Sequence, residues 1–572
     1  MNKLIHAQVL VYIASLLGCL VSSRAIAQTA ATLPNANPNP DRFPQALPTP
    51  QPLPPETPDL APTPTPTPLP EPSSVKISVR KIEVVDGTLL TPEEIARITQ
   101  PVEGKTVTLE DLRSVADAIT QLYLSRGYIT SRAVVGDQTI VDGIVQIRVI
   151  EGSIEAIDVQ GLERLKPFYV RDRVSLGTAT PLNKDKLEDQ LRLLKVDPLF
   201  EAVEASLRPG TGLGQSILTV RVREAAALNG YFGADNYSPP SVGSERFGSI
   251  LSYRNLTGLG DELSASYFRT TQGGYSAFDF NYRIPVNGMN GTLQLRAAPS
   301  RSEIIEPRFA AFGIRSDSSL YELSYRQPIL RSPREEVALS LGFAVQNGQT
   351  FLFQSTPFPF GIGPDPEGNS RTRVLKIGQD YIKRDLQGAW ALRSQFSIGL
   401  GVFSATTNPK PLPDGQFVSW LGQVQRVQRL GTDHLLIAQA DVQLTPDSLL
   451  PSQQFVIGGG QTLRGYRQNA RSGDNGVRVS FEDRIAIQRN ESGVPIFQLA
   501  PFIDFGTVWN RSDNPNILPN QTLLAGAGLG VLLEPFPGFT VRLDYAVPFV
   551  HLRDRGENAQ ERAFYFSAGY SF

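Results

Sequence analysis

Cysteine is nearly missing from this chain, with one residue, Cys19, in 572. It sits in an N-terminal apolar stretch that follows Lys3 and runs from Leu4 to Val21, broken by His6, Gln8 and Ser15, with Ala25, Ile26 and Ala27 beyond it. That pattern reads as a secretory leader over residues 1–27. Leu16, Leu17, Gly18 and Cys19 form only a faint lipid-attachment pattern. Removal of the leader after Ala27 leaves no thiol, which excludes disulfides, zinc–thiolate sites and cysteine nucleophiles. Histidine is almost as scarce: His434 and His551 are the two outside the leader, far apart in sequence. They do not make a histidine-rich metal site or a general-base array. There is no Gly-x-Ser-x-Gly elbow and no phosphate-binding Gly-x-x-x-x-Gly-Lys run. An enzyme is therefore not expected, nor a metal or cofactor. A formal charge of -2 gives no sign of a nucleic-acid partner. Past the leader the chain also lacks the run of about 20 apolar residues that a membrane-spanning helix needs.

Proline, by contrast, is abundant, and it is concentrated between Pro34 and Pro72, ending in Pro62, Thr63, Pro64, Thr65, Pro66, Thr67 and Pro68. Such a segment has too few backbone donors and apolar side chains for a core and favours extended polyproline II. Residues 28–74 read as a semi-rigid tether, and some 40 residues at about 3.1 Å each reach roughly 120 Å. Residues 75–152 and 153–225 then carry one unit twice: strand, helix, helix, strand, strand. In the first copy Ile77, Val79, Ile82 and Val84 suggest a strand. Thr91, Pro92 and Glu94 mark a helix start. Thr108 opens a second helix whose apolar stripe, Leu109, Leu112, Val115, Ala116, Ile119, Leu122 and Tyr123, stops at Gly127. Strands follow over Tyr128 to Val135 and Ile144 to Ile150, punctuated by Asp142 and Gly143. The second copy reads Ile154 to Val159, Pro167 to Val174, Lys184 to Lys195, Val203 to Leu207 and Ile217 to Val222. A small sheet covered by helices on one face leaves an edge able to accept an added strand.

From residue 226 to 572 the texture becomes a period of two. Tyr321, Leu323, Tyr325, Gln327 and Ile329 alternate with polar neighbours, as do Val337 to Val345, Phe278 to Ile284 and Leu436 to Leu444. One apolar face, one small or polar face and aromatic residues near strand ends meet the requirements of a closed membrane barrel. At about 22 residues per strand and loop, the region holds roughly 16 strands. Turns alternate short and long, and Gln346 to Arg373 reads as one long outer loop. A soluble sandwich or propeller would also alternate. The last strand argues for the membrane: Phe564, Phe566, Ala568 and Tyr570 alternate up to a terminal Phe572. Within this region Arg464 lies in a glycine-rich turn, Gly458 to Tyr466, and Asp504 follows in Pro501 to Gly506. An arginine in so tight a turn can meet a carboxylate on a neighbouring strand through two parallel charged hydrogen bonds.

These features together resemble the haemolysin secretion/activation proteins, outer-membrane transporters of two-partner secretion in the superfamily that joins POTRA domains to a barrel. The resemblance covers about Val75 to Phe572. It is carried by Tyr123, Leu124, Ser125, Arg126, Gly127, Tyr128 and Ile129 with Asp142 and Gly143, and by the Arg464 and Asp504 segments. It implies two α+β POTRA domains in the periplasm, followed by a transmembrane antiparallel β-barrel of about 16 strands in the outer membrane. In the family a loop tip of the type Val-Arg-Gly-Tyr folds into the lumen, and its arginine meets an aspartate in a Phe-x-Asp-x-Gly strand. Here Leu463 replaces the valine, while Arg464, Gly465 and Tyr466 match, as do Phe502, Asp504 and Gly506. Glu482 falls where the superfamily often has a strand glutamate, although Phe481, Glu482, Asp483 and Arg484 depart from the usual spacing. Phe566, Tyr570 and Phe572 stand as a C-terminal signal for the barrel-assembly machinery. The implied partners are a secreted exoprotein in extended form and outer-membrane lipid. Between Gln28 and Pro34 there is no length for the plug helix common in the family. An outer-membrane assembly factor that inserts other barrels shares these features and is the alternative, and a passive porin or receptor is a third.

Overall fold

The computed structural model describes residues 76–572. The leader and the proline-rich tether, together with any plug, lie outside them. The first α/β unit opens with two strands where one was expected, β1 (Lys76–Val79) and β2 (Lys81–Val85). The chain is bent between them because the backbone N–H groups of Arg80 and Lys81 both donate to Gly143 O, at 2.7 and 3.3 Å. This sends β1 to pair with β3 (Lys105–Thr108), a strand hidden in the sequence by the helix signal that follows it. β2 runs parallel to β5 (Ile144–Ile150), which pairs in turn with β4 (Arg132–Val134). β4 is shorter than Tyr128 to Val135, because Tyr128 folds back onto the edge of the Tyr123 ring, with centroids 6.1 Å apart. Both helices, α1 (Pro92–Thr99) and α2 (Leu109–Ser125), begin at reciprocal caps, Thr91 with Glu94 and Thr108 with Asp111. The stripe on α2 buries Leu112, Val115, Ile119 and Tyr123 against Val145 and Ile147.

The second unit follows without a linker. β6 (Ser153–Gln160), α3 (Phe168–Ser175), α4 (Lys184–Lys195), β7 (Phe200–Pro209) and β8 (Gln215–Glu224) form a three-stranded sheet in the order β6-β8-β7 under two helices. The two units are joined end to end. Asn183 caps α4, and its Nδ2 donates to Arg126 O at 3.1 Å, while Lys184 N donates to Gly127 O at 2.8 Å. The carbonyls that follow α2 thus meet the capping side chain of α4 and its first orphan backbone donor. Gly127 is left-handed there, φ 84°. Tyr123 donates to Glu151 Oε1 at 2.8 Å, and burial, with Glu151 adding, pushes its phenol up to about 12. The second unit is also seated on the barrel. Lys166 N donates to Gly258 O at 2.9 Å, and Arg173, stacked 3.4 Å over the Tyr169 ring, donates to Asn290 Oδ1 at 2.9 Å.

The barrel begins with β9 (Leu228–Asp235), β10 (Arg246–Arg254), β11 (Glu262–Thr270), β12 (Tyr275–Pro285), β13 (Thr292–Glu303), β14 (Arg315–Arg331) and β15 (Glu335–Leu352). A two-residue piece, β16 (Thr356–Pro357), touches only the end of β15. Then come β17 (Asn369–Arg384), β18 (Gly388–Gly399), β19 (Val418–Leu430) and β20 (His434–Leu444). Short β21 (Phe455–Ile457) and β22 (Arg471–Gly473) form a ribbon of their own. The wall finishes with β23 (Asn475–Arg489), β24 (Pro495–Trp509), β25 (Leu523–Phe536), β26 (Phe539–Pro548) and β27 (Phe564–Ser571). Leaving out β16, the wall is a closed antiparallel barrel of 16 strands, with β27 returning to β9. Closure leaves no unpaired edge in lipid. Tyr321, Leu323, Leu339 and Leu341 face outward and are exposed, with Glu322, Ser324 and Arg326 alternating toward the lumen. The long outer loop is shorter than Gln346 to Arg373: pairing continues up to Gln349 with Asn369, so the loop proper is 353–368. The ladder continues through Gln346 to Gln349 despite their polar and glycine-bearing composition, because these residues pair on both sides, with β14 and with β17.

The seam between β27 and β9 is reinforced by Asn236, which is fully buried. Its Nδ2 donates to Phe564 O at 2.9 Å and its Oδ1 accepts from Phe566 N at 2.9 Å. Replacing it by alanine removes both bonds to part-buried backbone groups, at a cost of about 1 to 2 kcal/mol. Asn236→Ala should lower the temperature at which the folded barrel band converts on semi-denaturing gels. An unchanged conversion temperature would mean that the seam does not depend on this residue.

Candidate functional site

The longest loop, residues 445–474 between β20 and β23, turns into the bore instead of away from it. Its entry crosses one wall: Leu449 packs with Ala344 and Val374, and Gln453 Nε2 donates to Gln346 Oε1 at 3.0 Å and Thr372 Oγ1 at 3.2 Å. Its tip is built by glycine. Gly458, Gly459 and Gly465 have φ of 109°, 106° and 107°, values that side-chain-bearing residues rarely adopt. Backbone bonds of 3.1 Å in both directions between Gly459 and Leu463 close the turn. The turn projects Arg464 at the opposite wall.

There Arg464 meets Asp504 twice, Nε to Oδ2 at 2.7 Å and Nη2 to Oδ1 at 2.9 Å, and its own backbone N–H adds a bond of 3.0 Å to Oδ2. Nη1 donates to Glu482 Oε2 at 2.6 Å. The guanidinium lies 3.4 Å over the Phe502 ring, a cation–π contact with all three charged groups buried. Around them Ser480 Oγ donates to Asp504 at 2.7 Å, Arg484 and Arg542 donate to Glu482 at 2.8 and 2.7 Å, and Arg542 donates to Asp544 at 2.7 Å. Arg464, Arg484 and Arg542 thus balance Glu482, Asp504 and Asp544. The motif neighbours complete the fit. Tyr466 Oη donates to Ala525 O at 2.7 Å, and Tyr565 Oη donates to Tyr466 O at 2.6 Å while accepting from Gly465 N at 2.9 Å. Leu463 fills a pocket with Ile457, Val508 and Leu524. A Cβ on Gly506 would come within 2.9 Å of Leu463 Cδ1. A second clasp lies higher, where Arg467 and Arg471 reach Asp554 at 2.6 and 3.0 Å.

The structure therefore gathers Leu463, Arg464, Gly465, Tyr466, Phe502, Asp504, Gly506 and Glu482 into one cluster. Glu482, whose motif spacing was irregular, is at its centre. Phe566 and Tyr570 lie elsewhere, on the seam strand, and Phe572, just past its end, stacks on Phe232 with centroids 5.9 Å apart. Sequence reasoning missed Ser480, Arg542, Tyr565 and the glycines of β25. A Cβ on Gly526 would lie 2.4 Å from Arg464 O, and one on Gly528 2.6 Å from Phe502 Cζ. Their signal was present as alternate glycines at 526, 528 and 530, a stretch of β25 with no inward side chains beyond Leu524. Among the described residues no group of three or more His, Cys, Asp or Glu is placed to hold a metal ion.

Residues 214–533 match the model of the haemolysin secretion/activation proteins ShlB/FhaC/HecB, more than half of the chain. The chain belongs to this family. Residues 77–152 match the POTRA domain of the same type. Outer membrane transporter CdiB of Escherichia coli is 27% identical over 494 residues, covering 82% of this chain and 79% of that protein. Heme/hemopexin transporter protein HuxB of Haemophilus influenzae is 21% identical, with 86% and 87% covered. The solved structure of CdiB from Escherichia coli superposes with a TM-score of 0.67 at 22% identity, over 89% of this chain and 93% of that one. The architecture is shared with that structure, and, as a member of this family of outer-membrane transporters, the barrel resides in the outer membrane.

Removing one partner of a buried ion pair costs about 3 to 5 kcal/mol, mostly from the charge left behind. Asp504→Ala should lower the denaturant midpoint accordingly, and Arg464→Ala/Asp504→Ala should cost less than the sum of the single changes. Strict additivity in that cycle would show that the two groups do not interact.

Proposed function

We propose that this family member exports one partner exoprotein through the barrel in two-partner secretion, with the loop 445–474 as the element that must be held in place for export. The observation that carries the reading is the anchor itself: a loop spanning the bore is tied to the wall by a buried, bidentate arginine–aspartate pair and not by apolar packing alone. Residues 75–152 and 153–225 act as two periplasmic receiving units. The sheet orders β2-β5-β4 and β6-β8-β7 each leave edge strands to which an unfolded exoprotein can add a strand of its own. The chain then crosses the polar lumen in extended form. Folding outside the cell withdraws the extended state and gives the step direction without a nucleotide. Lipid surrounds the outward band, and Phe566, Tyr570 and Phe572 serve the barrel-assembly machinery during insertion.

In this reading Arg464, Gly465 and Tyr466 position the loop, Asp504 and Glu482 are its wall partners, and Phe502 and Gly506 shape the socket. None of them performs covalent chemistry. Arg464→Ala should strongly reduce the exoprotein in the medium, while the folded barrel remains in the outer membrane at the normal level. Unchanged export by a correctly inserted Arg464→Ala barrel would contradict the assigned role.

A further inference from the structure

The wall of the bore facing away from the Arg464 anchor follows a different plan. β15 turns Leu339, Leu341 and Phe343 outward and leaves Ala338, Ser340, Gly342 and Ala344 toward the lumen. No inward side chain on this stretch is larger than serine, so long side chains of the flanking strands meet across it. Lys376 Nζ of β17 donates to Glu322 Oε2 of β14 at 2.6 Å, and Arg326 Nε of β14 donates to Asp380 Oδ2 of β17 at 3.1 Å. The lattice continues on both sides. Arg326 Nη2 reaches Glu336 Oε1 at 2.6 Å, Arg393 Nε reaches Asp380 Oδ1 at 2.9 Å, and Arg296 Nη2 reaches Asp279 Oδ2 at 2.8 Å. Arg296, Arg326, Lys376 and Arg393 thus stand against Asp279, Glu322, Glu336 and Asp380, with Arg331 a further cation 3.6 Å from Glu336 at the mouth end, and every one of these charges has an opposite partner. The Arg464 anchor is closed to solvent, whereas the Arg326 and Lys376 side chains keep 32% and 29% of their exposure.

Position along the strands places this lattice below the loop. Leu449 packs on Ala344, and the register puts Lys376 opposite Gly342 and Asp380 opposite Ala338, successively nearer the short turn at 332–334. That end of the barrel carries the two α/β units. The lattice therefore lines a chamber between the lumen loop and the periplasmic mouth. A passing chain has to be bound weakly enough to leave again. A lone charge in such a chamber would hold any segment of opposite sign, whereas a paired charge presents only a short-range dipole.

We propose that this chamber receives the exported polypeptide first, and that the pairing of these lattice charges lets extended segments of either sign enter without being retained. The inference rests on the export reading above and adds its selectivity: the chamber selects by extended form and is indifferent to charge. Arg326, Lys376, Asp380 and Arg393 are then specificity-determining residues.

The test uses the full-length chain folded in detergent, with Cys19→Ser removing the native thiol and Ser340→Cys placing one in the chamber. Two methanethiosulfonates, one carrying trimethylammonium and one sulfonate, report the local potential through their labelling rates, each normalised to its rate with glutathione. The normalised rates should agree within about twofold. Adding Lys376→Gln/Arg393→Gln removes two positive charges from the lattice and should shift the ratio about tenfold toward the cationic reagent. Glu322→Gln/Asp380→Asn should shift it the opposite way, and the balanced change Asp380→Asn/Arg393→Gln should not move it. Only heat-modifiable, folded barrels are scored, and the two mirror-image variants carry the same information if one fails to fold. No labelling of the Ser340→Cys variant, a strong sign preference before any charge is removed, or a ratio indifferent to the charge changes would overturn the proposal. A charge-blind chamber in a protein that exports nothing would count against the export reading alone.

Discussion

Taking a guanidinium out of water costs several kcal/mol, and an arginine stays charged at any pH a cell meets. Once the chain folds Arg464 into the bore, the surrounding wall has to supply a carboxylate in bidentate reach, further acceptors and a surface to stack on. Asp504, Glu482, Ser480 and Phe502 supply them. Their own burial then requires Arg484 and Arg542, and Arg542 requires Asp544. The glycines of β25 follow from the same constraint, because the loop backbone lies where a Cβ would stand. One buried cation thus dictates residues on four consecutive strands, β23 to β26.

The rest of the lumen obeys the same accounting with a different outcome. Inward strand positions are small or charged because the outward ones are committed to lipid. On the anchor side the charges are buried and fix a loop. On the β14 to β17 side they are paired but open, over a strand stripped to alanine, serine and glycine. The two walls show how a single alternating pattern yields both a buried latch and a part-exposed lattice of paired charges. The α/β units are tied to one another and to the barrel, since the carbonyls that follow α2 meet α4 and Arg173 seats the second unit on a barrel turn.

Much of this was legible in the sequence, for identifiable reasons. Period-two patterning, the two helix stripes and the caps at Thr91 and Thr108 are local signals, and the barrel and α1 and α2 followed from them. Arg464 and Asp504 were legible because glycine placement marks where a loop can turn tightly. β3 was hidden because Thr108 ends a strand and caps a helix at once, and β4 was overestimated because a tertiary contact between Tyr123 and Tyr128 overrides strand propensity. Arg542 and Tyr565 were not legible at all. Their partners lie 60 and 99 residues away, and only barrel closure brings them to the loop.

A dedicated export pore for a partner protein and a barrel-assembly factor differ in what their loss removes from the cell. The direct measurement compares the culture medium and the outer-membrane protein content of cells with and without this gene. For an export pore, loss of one or a few large secreted proteins is expected, with other outer-membrane barrels at normal levels. General depletion of those barrels would contradict it and identify an assembly factor instead.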